Sequence, residues 1–405
     1  MTYDNWIKFK LGEVFKVKHG FAFKGEYFTD IVTDDILLTP GNFKIGGGFK
    51  SDKFKYYKGE YPKEYILKEG DVIVTMTDLS REGDTLGYSA KIPLSKGFRY
   101  LHNQRLGLLQ FLSSEFDKDF IYWLLRTKEY QEFIVSSATG STVKHTSPSR
   151  IEEYEFRCPS LPVQRRIAAI LTALDDKIEL NRRMNETLEG IAQALWGEWF
   201  GTFTIGEIEL PEGWRWGTLG EIASFLSGFA FKSEDFVEDG DFQLITIKNV
   251  QDGQFITDST DRLESIPQRM PKYCLLKDGD ILLSLTGNVG RICFVFGDNF
   301  LLNQRVAKLE PIHPFSKSSL YFFFRQKSTK DNLISIAKGT AQMNLSPIES
   351  RNVEVLIPDE NIILKYGNVT SALYEKMIQN QIQSRSLTML RETLLPKLMR
   401  GEVMF

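Results

Sequence analysis

The sequence predicts two similar mixed α/β domains separated by a pair of long antiparallel coiled-coil helices, a pseudo-two-fold dumbbell. Two observations predict it. One module of about 200 residues occurs twice in the chain, and each copy ends in a tail whose apolar residues recur in steps of four and three. The expected boundaries are a first domain over residues 1–160, a central helix within 161–205, a second domain over 206–357 and a C-terminal helix within 358–405.

The duplication is read from five matches in order. LGEVFKVKHGFAFK from Leu11 pairs with LGEIASFLSGFAFK from Leu219, and LKEGDVIVTMT from Leu67 with LKDGDILLSLT from Leu276. LHNQRLGLL from Leu101 pairs with LLNQRVAKL from Leu301, FIYWLLR from Phe120 with SLYFFFR from Ser319, and GSTVKHTSP from Gly140 with GTAQMNLSP from Gly339. VIVTMT and ILLSLT, each after Gly-Asp, read as short strands bounded by turn residues. FIYWLLR and SLYFFFR read as short buried helices. Gly20 and Gly228 suit turns.

In the first tail the seam is Ile167, Leu171, Leu174, Ile178, Asn181, Asn185, Leu188, Ala192, Leu195 and Trp199. The second is Tyr366, Thr370, Leu373, Met377, Asn380, Ser384, Leu387, Arg391, Leu394 and Leu398. Two polar positions break each seam at the same place. Asn181 and Asn185 facing Asn380 and Ser384 would fix the register of a helix pair, as buried Asn does in coiled coils. The competing arrangement packs each tail on its own β-rich domain. Pro162 suits a helix start and Pro396 a helix end.

Composition narrows the function. Hydrophobic residues make up 42% and charged residues 25% of the 405, the balance of a globular protein. No apolar run approaches the roughly 18 residues of a membrane span. The start lacks a secretory pattern, and three scattered cysteines provide neither a disulfide framework nor a zinc knuckle. A reducing cytoplasm is the expected compartment. Walker A, G-x-G-x-x-G, H-E-x-x-H and G-x-S-x-G patterns are absent, as is the Pro-Pro loop of amino-methyltransferases. The four histidines have no metal spacing. These absences favour a binding protein; the alternative is a self-contained DNA-modifying or DNA-cleaving enzyme with an unrecognised site.

At this point the chain resembles the specificity subunits of type I DNA restriction–modification systems. The resemblance rests on Trp6 with LGE and GFAFK, on the paired Asn-Gln-Arg triplets, and on the join LPVQRRIAAIL from Leu161. LPEGWRWGTLGEI from Leu210 restarts the module, and LLPKLMRGEV from Leu394 closes the chain. The resemblance implies two target recognition domains, each reading one half of a split site in double-stranded DNA, and spacer helices on which two modification subunits dock. Restriction subunits complete the assembly. It implies no catalysis by this chain; S-adenosylmethionine, ATP and Mg²⁺ belong to the partners. Gln164, Arg165, Arg182 and Arg183 are the expected docking residues. PDENIILKYG from Pro358 lacks the Gln-Arg pair of the first join.

The duplication sorts candidate DNA contacts. Positions that agree between modules should hold framework or phosphates, and positions that differ should read bases. Lys24 and Lys232 of GFAFK and Arg105 and Arg305 of the triplets are the phosphate candidates; the structural alternatives are core packing and a buried polar network. Residues 42–63 hold six Lys against two acids, interleaved with Phe and Tyr, and nominate Lys50, Lys53 and Lys55. The diverged loops nominate Thr142, Lys144 and His145 in the first module and Gln342 and Asn344 in the second, with Lys suited to guanine and Gln or Asn to adenine. Residues 1–160 carry net charge +1 and residues 206–357 carry −4, so much of the DNA affinity should come from partner subunits.

Overall fold

The computed structural model describes residues 6–403 apart from 52, 79, 81, 82, 96, 141, 202–209 and 340–342. The chain forms two compact units, Met1–Asp176 with Leu387–Phe405, and Lys177–Ser386. The expected boundary at 205/206 lies outside the described residues.

Each unit contains the same antiparallel sheet. In the first, the strand order is Phe15–His19, Leu106–Phe111, Val72–Thr75, Ser89–Lys91. In the second it is Ala223–Ser227, Val306–Pro311, Ile281–Ser284, Ile292–Phe294. The strand after each Gly-Asp is buried along its whole length. Val72 and Val74 face one apolar cluster and Ile73 another. Both faces of this strand are therefore covered, which is why its sequence is apolar throughout rather than alternating.

A smaller sheet lies beside each. It contains a parallel pair, Asp35–Leu37 with Arg99–Leu101 in one unit and Phe242–Ile245 with Phe300–Leu302 in the other. The expected short helices form at Lys118–Leu124 and Lys317–Phe324. Asp117 caps the first, accepting from the backbone N–H of Asp119 and Phe120 at 3.1 and 2.9 Å, and its apolar residues Phe120 to Leu124 are all buried.

The tails form two helices of 40 residues each, Leu161–Phe200 and Glu360–Met399. No position of either predicted seam is exposed. Within the second unit the helices pair antiparallel through their polar layers. Asn181 Nδ2 donates to the Gln383 side chain at 2.9 Å and to Ser384 Oγ at 3.2 Å. Asn380 Nδ2 donates to Asn185 Oδ1 at 2.8 Å, and Asn185 Nδ2 to the Met377 carbonyl at 3.0 Å. Buried amides with these bonds set the register.

The competing arrangement, each tail on its own module, holds for only one end of each helix; the other end packs in the core of the other unit. Ile167, Ala168, Leu171, Leu398 and Met399 belong to the core of the first unit, and Ala192, Trp196, Phe200 and Tyr366 to that of the second. Pro396 does not end its helix but sits inside the last turn. Proline there sacrifices a backbone hydrogen bond, while Leu398 and Met399, 1% and 7% exposed, fix that turn in the core. The helices end instead at Gly201 and Gly401, both at φ 62°, the left-handed conformation that glycine adopts after a helix. No helix among the described residues is long and apolar enough to cross a membrane.

Candidate nucleic-acid interface

The two motifs shared by the modules meet. Phe21 N–H donates to the His102 carbonyl at 2.8 Å, and Gln104 N–H returns to the Phe21 carbonyl at 2.9 Å. Phe229 bonds Leu302 at 2.9 Å, and Gln304 bonds Phe229 at 3.0 Å, in the second module. This corrects the reading of the motif's glycines as turn formers. A Cβ on Gly20 would stand 2.1 Å from the Asn103 carbonyl oxygen, and one on Gly228 2.2 Å from that of Asn303. Glycine is needed for the close approach of two backbones. Phe23 is buried, 8% exposed, while Phe21, Phe229 and Phe231 are partly covered.

Asn103 Oδ1 accepts from Arg105 N–H at 3.0 Å and shapes the turn. Arg105 and Arg305 are exposed, and neither guanidinium has a partner among the described residues. They occupy equivalent places. Arg105 and Arg305 carbonyls accept from Met76 and Leu285 N–H at 2.9 and 3.1 Å. Met76 and Leu285 carbonyls accept in turn from Thr146 and Leu345 N–H at 3.0 and 2.7 Å. A single strand end thus places the matched arginine beside the diverged loop in both modules.

The loop residues attach to that strand end. Lys144 and His145 pair with Asp78 and Thr77, and Thr286 bridges Asn344. Asp78 accepts from Ser80 N–H at 2.7 Å and from Thr85 Oγ1 at 2.7 Å. Burial raises its pKa, but these bonds outweigh burial and keep the carboxyl below its ordinary range. Thr142 and His145 are exposed and Lys144 half-buried, its stem over Gly83. Gln342 lies outside the described residues. In the second module Ser227, Leu285, Thr286, Gln304, Arg305 and Asn344 line an open groove of about 640 Å³. A second groove of about 440 Å³ shares Arg305 and reaches Lys248, Asp258 and Asp261.

The basic-aromatic stretch divides differently. Phe43 and Tyr57 are 3% and 2% exposed, and Phe49, Phe54 and Tyr56 pack on a core cluster. Its aromatic rings are therefore core, not stacking platforms. Lys53 and Lys55 are exposed and Lys50 half-buried, all beside the smaller sheet and not on the loop's strand end. The Lys24 side chain is exposed and its amine has no partner among the described residues, whereas Lys232 pairs with Glu234 at 3.0 Å.

Of the expected docking residues, Gln164 is a correction. It is 2% exposed; its Oε1 accepts from Asp117 N–H at 2.8 Å and its Nε2 donates to the Pro159 carbonyl at 2.9 Å. It pins the helix start to the cap of the preceding helix and offers no surface. Arg165, Arg182 and Arg183 are exposed. Arg182 bonds Glu179 at 2.6 Å and also Glu186.

Sequence reasoning missed Arg126 and Arg325, although each closes a matched motif. Arg126 is only 6% exposed, donates to the Gly46 carbonyl at 2.9 Å and Tyr122 OH at 2.6 Å, and pairs with Asp175 at 3.2 Å. Asp175 also pairs with Arg391. Arg325 pairs with Glu189 and Asp252, both at 2.5 Å. Each arginine ties a module's loop to the central helix within its own unit.

His102 precedes the first triplet and is 1% exposed; the second module has Leu302 there. Its Nε2 donates to the Leu106 carbonyl at 2.9 Å, and its Nδ1 has no partner among the described residues. Burial lowers its pKa to about 4. The folded chain therefore resists a proton that the unfolded chain accepts near pH 6.5, so stability falls as pH drops from there toward 4. About 2 kcal/mol is expected to be lost between pH 7 and 5 from this group. His102→Leu should abolish that part of the loss, measured by urea unfolding at both pH values.

A family model described as the type I restriction modification DNA specificity domain matches residues 3–190 and again 211–382. The type I restriction enzyme MjaIX specificity subunit of Methanocaldococcus jannaschii is 29% identical over 304 residues, covering 70% of this chain and 69% of that one. The EcoBI specificity subunit of Escherichia coli is 24% identical and covers 99% and 87%. A crystal structure of the type I restriction-modification S subunit from M. genitalium shares the fold, with a TM-score of 0.55, 22% identity, and coverage of 97% and 96%.

Proposed function

The chain belongs to the family of the type I restriction modification DNA specificity domain, and from that premise we propose that its two modules read the two halves of a split, asymmetric DNA site. It is the non-catalytic recognition subunit, which directs methyltransferase and restriction subunits to that site. What supports this reading is that the same strand end carries a matched arginine, without a side-chain partner among the described residues, and a diverged loop in both modules. A fixed cation suits phosphate, whose chemistry is the same in every sequence, and a variable polar loop suits base edges.

In the proposed complex two modification subunits dock along the helices, with Arg165, Arg182 and Arg183 on the exposed face. S-adenosylmethionine, ATP and Mg²⁺ are held by the partners, and the work is done in the cytoplasm. The second module, at net charge −4, relies on those partners for affinity, since phosphate neutralisation supplies most non-specific binding. The purified chain mixed with duplex DNA, S-adenosylmethionine, ATP and Mg²⁺ should neither methylate nor cleave it. Adding modification subunits should produce methylation at a two-part motif. Methylation or cleavage by the chain alone would overturn the proposal.

A further inference from the structure

We infer that Thr77 and Thr286 are positioning residues, each orienting one base reader in its module: His145 toward a guanine and Asn344 toward an adenine. The inference rests on the DNA-reading function proposed above and adds which loop residue reads and what holds it.

The geometry is the same in both modules although the readers differ. Thr77 and Thr286 both close the matched strand motif. Thr77 Oγ1 lies 3.1 Å from His145 Nδ1, and Thr286 Oγ1 donates to Asn344 Oδ1 at 2.9 Å. Both readers are exposed. Both loops are also fixed through their backbones, His145 exchanging bonds with Thr139 at 3.0 and 2.8 Å and Asn344 with Lys338 at 2.9 and 2.7 Å. The threonine hydroxyl is then the contact that selects the side chain's rotation rather than the path of the loop.

Orientation decides what each reader offers. A hydroxyl that donates to Asn344 Oδ1 fixes the amide plane and leaves Nδ2 without a partner among the described residues. Oδ1 keeps a second lone pair, so an acceptor and a donor stand side by side, the pattern that pairs with adenine N6 and N7. Assigning the hydrogen between Thr77 Oγ1 and His145 Nδ1 to the hydroxyl, as Thr286 donates in the other module, puts the ring proton on Nε2. Nε2–H is a lone donor and fits guanine, whose major-groove edge carries only the acceptors N7 and O6. Arg305 beside Asn344 in the same groove supplies the phosphate contact that sets distance.

The test uses the whole system: the chain expressed with its modification subunits, and methylation-sensitive sequencing of the host genome. Thr286→Val and Asn344→Ala should each relax the same single A·T position of one half-site. Acceptance of the wrong base there should rise roughly tenfold, the loss expected for a bidentate contact. Thr286→Ser, which keeps the hydroxyl, should retain the motif. Thr77→Val should relax one G·C position of the other half-site. If Thr286→Val abolishes methylation by unfolding, the Thr286→Ser and Asn344→Ala motifs still decide. A full-stringency motif with Asn344→Ala, or with a folded Thr286→Val, would overturn the inference while leaving the DNA-reading function intact. A wild-type chain that directs no motif at all would overturn both.

Discussion

Replacing Arg105 and Arg305 together by alanine should weaken the assembled complex on DNA of every sequence, by about tenfold for each arginine, because each makes a charge-assisted bond to phosphate. The signature is in the salt dependence. Each lost phosphate contact lowers the slope of log affinity against log salt by about 0.9, so the double variant should lose about 2. The methylated motif should remain the same, since phosphate contacts carry no direct sequence information. Both side chains are exposed and have no partner among the described residues, so the fold should tolerate the change and thermal unfolding should be unaltered. Titrating the complex onto duplexes at several salt concentrations checks this. An unchanged slope, or an altered motif, would remove the arginines from the phosphate role.

Asp175→Asn is expected to have the largest effect on stability, about 3 kcal/mol, because it leaves the Arg126 guanidinium inside the first unit without its carboxylate. Burial pushes the Asp175 carboxyl up, but Arg126 and Arg391 outweigh burial and hold it below its ordinary range. A lowered pKa means the stabilisation is present above the usual carboxylate range, near pH 4, and disappears as pH falls through the lowered value. Asp175→Asn should therefore cost its full amount at pH 7 and progressively less in acid. Urea unfolding across that range measures it. Replacing Asp175, Arg126 and Arg391 together by apolar residues of similar size should recover most of the loss, as other buried charge clusters do. A pH-independent effect would point to packing instead.

What the sequence reveals and conceals follows from how far apart the causes lie. The repeat, the two short helices and the heptad seams were legible because each is written in adjacent residues or a fixed period. The polar layer at Asn181, Asn185, Asn380 and Ser384 was legible for the same reason. Gly20 and Gly228 look in sequence like turn residues, because their constraint comes from a carbonyl some 80 residues away. Gln164 looks in sequence like a docking residue because an exposed and a buried glutamine are written alike; the Asp117 and Pro159 partners that bury it become neighbours only on folding. Residues 42–63 have a pattern that two causes can write. Lysines alternate with aromatic rings there because one side of the segment is wet and the other is core, the ordinary logic of a half-buried sheet. Arg126 escaped notice because nothing local distinguishes a buried arginine, and its partners Gly46 and Asp175 are 80 and 49 residues away.

The central claim is that each module reads its own half of the target through the loop beside its arginine. It is tested most directly by exchanging Thr142–His145 for the matching residues 341–344 and sequencing the methylome. The account predicts that one half of the motif changes while the other half and the gap between them stay as in the parent. A motif unchanged in both halves at full methylation, or altered in both, would contradict it.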